Sequence, residues 1–315
     1  MTAGVVCIGI ATLDAIVSVD RLPGSDERVE AMDGRLAGGG IAATAAVTLA
    51  RLGVPVAFIG RVGGDAAGGL IRDGLADAGV DVRGLRLDAP RSPVSAILVE
   101  APTGLRSLAP YLGDGEPIEL DADDLRMCAA ADWVHVDELG LPVVGRLRAE
   151  GVATPVSVDD GTGRPSIAFE RVGLYAPTAS VLAARFPAAT LEASAEACLA
   201  AGPSIVVATH GSDGSSAAVR LPDGRIAHVR APGFAVDALS TLGAGDVFHG
   251  ALLAALLDDV PTAEALRFAN AVSAMSCRAL DGRSGIPSRA EVDAWLASGP
   301  ATRSPDAPAK AVVHG

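Results

Sequence analysis

At 315 residues the chain can form one large α/β domain or two ordinary ones, since domains run to roughly 100 to 200 residues. Half of it (50%) is hydrophobic but only 3% is aromatic, so the core must be built from small aliphatic side chains, a palette suited to a parallel sheet covered by helices. A formal charge of -13 argues against a nucleic-acid or anionic-membrane surface, either of which needs a concentrated basic face. No stretch approaches the roughly 20 apolar residues of a membrane span, and the N-terminus, MTAGVVCIGIATLD, reads as a first strand rather than a signal peptide. The four cysteines, at 7, 128, 198 and 277, lack the short spacing of zinc or redox sites and read as reduced core residues of a cytoplasmic protein.

In chain order, VVCIGIA at 5–11 predicts a strand, IAATAAVTLARLG at 41–53 a helix, VAFIGRVG the next strand and 68–78 the next helix. Later strands are expected at 133–136, 156–159, 173–176 and 205–209. Strands alternating with helices predict parallel pairing with crossover helices. Residues 15–36 and 92–112 instead alternate apolar and polar with Gly or Pro turns. They are expected to form a small projecting β-sheet, a lid beside a cleft, or else edge strands of the main sheet. The main domain is accordingly assigned to 1–14, 37–91 and 113–298, the lid to 15–36 and 92–112, and a disordered Pro/Ala-rich tail to 299–315.

The most informative stretch is DALSTLGAGDVFHGALLAALL at 237–257. Gly243, Ala244 and Gly245 lead into Asp246 and a helix too apolar to be anything but buried. The N–H groups at such a helix start attract anions, and small residues let a phosphate approach the backbone. The helix dipole should hold Asp246 ionised, as suits a base that accepts a proton from a hydroxyl. The alternative is an acid that merely caps a buried helix after a Gly turn.

This segment resembles the C-terminal signature of the ribokinase-like (PfkB) carbohydrate kinases. GGGIAATAAVTLARLG at 38–53 resembles the N-terminal signature, and FIGRVGGDAAGGLIRDGLADAGVDV at 58–82 resembles the segment that follows it. VVATHGSDG at 206–214 and FANAVSAMSC at 268–277 resemble the nucleotide-binding turn and helix. The resemblance implies a three-layer α/β/α fold with a mostly parallel sheet and a β lid. It implies ATP-dependent phosphorylation of a hydroxyl on a small sugar, with Mg²⁺ as cofactor, Asp246 as base and 243–245 as the anion hole. It further implies sugar contacts from Asp14, Gly39, Gly40, Thr44 and Arg106, and nucleotide contacts from Thr209, Gly211, Gly214 and Asn270.

Departures qualify this. Ser240 replaces an aspartate that commonly helps hold a monovalent cation, so potassium activation is left open. Ala176, Pro177, Thr178 and Ala179 stand where the family's Asn-x-x-Glu should fall, so the metal-binding residues stay unassigned. Thr44 replaces an asparagine. The variant looks most like the branch containing sulfofructose kinases, yet 137–141 offers no cation for a sulfonate and Arg106 is the nearest candidate. A nucleoside kinase and a non-catalytic sugar-binding relative remain alternatives. A Rossmann-type oxidoreductase does not fit, because Ala43 stands where the third glycine of its fingerprint should be. Free edges on the lid predict a homodimer formed through it.

Overall fold

The computed structural model describes residues 4–114, 117–163 and 166–303. Its first half runs β1 (Val5–Ile8), β2 (Thr12–Val19), β3 (Ala31–Gly39), α1 (Ile41–Arg51), β4 (Val56–Gly63), α2 (Ala66–Asp77), β5 (Asp81–Ala89), β6 (Val94–Glu100), β7 (Leu105–Tyr111) and α3 (Ala122–Ala130). The second half runs β8 (Trp133–Val136), α4 (Val143–Ala149), β9 (Val156–Asp160), β10 (Leu174–Pro177), α5 (Ala179–Arg185), α6 (Leu191–Ala201), β11 (Ile205–Thr209), β12 (Ser215–Arg220), β13 (Ile226–Ala231), α7 (Ala244–Leu257), α8 (Thr262–Ser276) and α9 (Arg289–Ala297).

Nine strands form one sheet in the order β13-β12-β11-β10-β9-β8-β1-β4-β5. It is parallel from β11 to β5 and antiparallel at β12 and β13. Strand alternation divides its side chains between two cores. Val5, Cys7 and Phe58 pack with α1, α7 and α8, while Val6, Ile8 and Ile59 pack with residues of α3, α4 and α6. The result is the expected three-layer α/β/α arrangement with a mostly parallel sheet. All four cysteines are buried and unpaired. Among the described residues no helix is long and apolar enough to cross a membrane.

The chain order reverses at β1, which pairs β4 on one side and β8 on the other. Crevices at the carboxyl ends of strands flanking such a switch point are the usual ligand sites of open α/β sheets. Helix α7 is fixed beside this point by burial on every side: Val247, Phe248, Ala251, Leu252, Leu253, Ala254 and Ala255 are all inside. Each large apolar side chain so buried stabilises the fold by roughly 1.5–3 kcal/mol. Gly250 brings α7 against α1, since a Cβ there would stand 2.6 Å from the Ala45 carbonyl oxygen.

Strands β3-β2-β6-β7 form a second, four-stranded sheet. Asp14 therefore lies within this sheet, on β2, and not at the end of the first strand as the motif suggested. One face of the small sheet packs Ile16, Ile97 and Val99 against Leu280 and Leu242, which flank the start of α7. The tail expected from 299 begins in order: Ala301 accepts from the Ala235 N–H, the Arg303 N–H donates to Gly233, and Thr302 bridges Phe234. Paired backbone, not composition, governs these residues, and the rest of the expected tail, 304–315, lies outside the described residues.

Candidate active site

Gly243 caps α7 with φ 70° and no side-chain hydrogen bond, a left-handed conformation that favours glycine. The amides of Gly243, Gly245 and Asp246 have no acceptor among the described residues, whereas the Ala244 N–H donates to the Thr241 carbonyl at 3.3 Å. The free-amide set is thus shifted by one residue from the expected 243–245, because a turn at Thr241 takes up the middle amide. Such a group of unpaired N–H donors at a helix start suits an anion.

Asp246 follows in the first turn and is half-buried. Its carboxyl is pushed up to about 7, chiefly by burial and next by the negative charge of Asp137, while Arg283 and Arg106 pull it down. This corrects the expectation that the helix dipole keeps it fully ionised. The dipole contributes typically 0.3–1 kcal/mol, less than removing a carboxylate from water costs.

On one side of Asp246 lie the residues expected to meet a sugar. Asp14 is buried and accepts from Thr12 Oγ1 at 2.7 Å; burial raises its pKa, against hydrogen bonds from Thr12 and Ser95 and the charge of Arg283. Gly39 packs directly over it, since a Cβ there would stand 2.0 Å from Asp14 Oδ2. Gly40 turns the chain into α1 at φ 92°, where a Cβ would meet the Ile10 carbonyl at 2.4 Å. Thr44 Oγ1 accepts from Arg283 Nε at 3.2 Å, and Arg283 Nη2 donates to the Gly39 carbonyl at 2.6 Å. The sequence found no cation at 137–141; beside these residues stands Arg283, from the far end of the chain.

Asp137 has a different role. Fully buried, it accepts from the N–H groups of Ile10, Ala42, Leu139 and Gly140 at 2.8, 3.1, 2.9 and 3.0 Å. One carboxylate thus ties the ends of β1 and β8 to the start of α1.

On the other side of Asp246 is a cavity of about 390 Å³ lined by Thr209, Gly211, Gly214, Asn270, Ala244 and Gly245, among others. Of the three residues with free amides, Gly245 lines it, and Asp246 is the next residue in the chain. Phe234 and Phe248 supply apolar wall. Asn270 borders the cavity with its polar atoms already engaged: Nδ2 donates to the Ala231 and Pro232 carbonyls and Oδ1 accepts from Ser215 Oγ. It shapes the wall more than it offers a free donor. Arg106 of β7 donates to Thr241 Oγ1 at 2.6 Å, so its hydrogen bond goes to the turn before α7 and, among the described residues, not to the residues expected to meet a sugar.

At the expected Asn-x-x-Glu position Thr178 caps α5, accepting from Val181. Ser240 is buried and accepts from the Leu242 N–H, and Asp237 is exposed. Between α7 and the strands β8 and β9, His135, Asp159 and His249 bring potential ligand atoms within 4.8 Å of one another. His249 Nε2 lies 3.3 Å from Asp159 Oδ2. Burial holds both imidazoles neutral, His135 pushed down to about 4, and raises Asp159, whose neighbours Asp246, Asp137, Asp160 and Glu138 raise it further.

A sequence profile described as pfkB family carbohydrate kinase matches residues 2–156 and 174–289, both sides of this site included. The chain belongs to the PfkB family of carbohydrate kinases. An ATP-dependent ribose-1-phosphate kinase of Halopiger xanaduensis is 35% identical over 297 residues, covering 93% of this chain and 97% of the relative. The structure of Arabidopsis thaliana ribokinase complexed with ribose and ATP superposes with TM-score 0.79 at 26% identity, over 94% of this chain and 99% of that one. Ribokinase of Thermotoga maritima shares the fold, with TM-score 0.78 at 24% identity over 94% and 99% of the chains.

Within this family member, sequence reasoning missed Arg283, Asp137 and Asp159. Arg283 stood in view in GRSGIP at 282–287, Asp137 directly follows one predicted strand and Asp159 ends another. Those strand-end positions were the available signal for the two acids.

Proposed function

We propose that this carbohydrate kinase transfers the terminal phosphoryl group of ATP to a hydroxyl of a small sugar or sugar derivative. The observation that carries the reading is Asp246 beside three unpaired amides, between a sugar-sized cluster of polar groups and a nucleotide-sized cavity. The Arabidopsis relative, solved with ribose and ATP, supports the same pair of ligands here.

Asp14 would accept hydrogen bonds from two sugar hydroxyls, close under the bare Gly39 backbone. Asp246 takes the proton of the accepting hydroxyl as its oxygen bonds to the terminal phosphorus and the bond to ADP breaks; the proton then passes to solvent. A base near 7 is well matched to that task. The amides of Gly243, Gly245 and Asp246 stabilise negative charge on the transferred group. Mg²⁺ entering with ATP would neutralise phosphate charge. Asp159, raised chiefly by burial and then by neighbouring carboxylates of which Glu138 is one, would with Glu138 offer the carboxylate oxygens that a hard cation takes. ATP as donor and four reduced thiols suit a cytoplasmic setting.

The small sheet serves as the lid. Met32, Leu36, Val94, Leu105 and Leu108 on it are exposed, which favours pairing of two lids in a homodimer; light scattering that gives a monomer mass at micromolar concentration would remove this part. The kinase reading is tested by ADP release with a panel of pentoses, ketoses, sugar phosphates and nucleosides. Acceptor-dependent ADP release with a sugar is expected. Sugar binding without any turnover would instead favour a non-catalytic relative.

A further inference from the structure

Among the described residues Arg283 is a cation without an anionic partner. Its guanidinium carries five N–H donors, of which Nε serves Thr44 Oγ1 and Nη2 serves the Gly39 carbonyl, both neutral acceptors. Nη1 has no acceptor among the described residues and no carboxylate there pairs with the guanidinium, although the charges of Asp14, Asp246 and Asp281 all bear on it. Asp14 accepts hydrogen bonds from Thr12 and Ser95 and feels Arg283 only through its charge. Burial pushes Arg283 down to about 10, so it remains charged at neutral pH.

The surroundings are built to hold this group. Asp281 accepts from the N–H groups of Arg283 and Ser284 and from Ser284 Oγ, and it is paired in turn with Arg35 of β3. These bonds fix the backbone from which Arg283 projects. Gly38 makes room, since a Cβ there would stand 2.3 Å from Nη1. A partly buried charge is costly unless paired, and a planar guanidinium fork matches a tetrahedral oxyanion. The terminal phosphate of ATP is not the expected partner, because Arg283 contacts the sugar-side residues Gly39 and Thr44 and does not line the nucleotide cavity.

We infer that the acceptor of this kinase is an anionic sugar, carrying a phosphate ester or a sulfonate that Arg283 grips beside Asp14. This rests on the kinase reading for its acceptor role, but binding can be measured separately. In the absence of nucleotide, calorimetry compares D-ribose with D-ribose 1-phosphate, and D-fructose with its 6-deoxy-6-sulfo derivative. The wild-type protein is expected to bind one anionic sugar at least tenfold more tightly than its neutral counterpart, and the tighter pair identifies phosphate or sulfonate. In Arg283→Gln the preference should fall below threefold. Arg283→Lys keeps the charge, loses the fork and should lie between, which guards against a misfolded glutamine variant. Equal wild-type affinity within both pairs, or a preference that persists in Arg283→Gln, overturns the inference. Anionic sugars bound with the expected preference but never phosphorylated would sink the kinase reading alone.

Discussion

The ionisation of Asp246 yields a quantitative prediction. Its pKa is raised from 3.8 to about 7 by burial and by Asp137, and only the ionised carboxylate can accept the proton of the sugar hydroxyl. At pH 6 about a tenth of the molecules carry the base form, and at pH 8 about nine-tenths, so kcat/KM should rise about tenfold between them and level off above pH 8. An ordinary aspartate would be almost fully ionised at both values and give a flat profile. The neighbours set the direction of further shifts. Neutralising Arg106, as in Arg106→Gln, removes a charge that lowers the Asp246 pKa, so the midpoint should move to higher pH. The assay is the initial rate of ADP release at subsaturating substrates across about pH 5 to 9, where kcat/KM reports the free enzyme. A flat profile through pH 7, or a midpoint that moves down in Arg106→Gln, refutes the assignment of the titration to Asp246.

Other consequences follow from single contacts. Gly39→Ala places a methyl 2.0 Å from Asp14 Oδ2, and calorimetry should show sugar affinity falling at least tenfold while ATP binding persists. Asp137→Asn substitutes an amide, which offers N–H toward backbone N–H donors, for an acceptor of four buried bonds; urea unfolding should show a loss of about 2–5 kcal/mol. Asn270→Ala removes the contacts to Ala231, Pro232 and Ser215, so the KM for ATP should rise several-fold with a smaller change in kcat.

Much of the fold was legible because its signals are local. Short apolar runs at 133–136 and 205–209 became parallel strands, as did the first part of the run at 5–11, and 15–36 and 92–112, lacking helical period, supply strands of the small sheet. Part of the site was legible for the same reason: the GAGD turn and the Gly-Gly pair carry their chemistry in contiguous residues. Arg283 was not, since its meaning depends on meeting Thr44 and Gly39, more than two hundred residues earlier. Asp137 likewise reads as a strand-end acid until the backbone of β1 and α1 closes around it. The protonation of Asp246 was misjudged because the helix start is visible in sequence, whereas the depth of burial and the charge of Asp137 arise only from packing. The order at 301–303 depends on partners at 233–235, beyond the reach of composition.

The role of Asp246 is tested most directly by Asp246→Asn, a near-isosteric change that cannot accept the proton. With the preferred sugar and ATP both shown by calorimetry to bind, phosphorylated product should form at a kcat reduced by roughly 10²–10⁴-fold, at pH 8 where the wild-type base is ionised. A kcat within threefold of wild type would contradict the account.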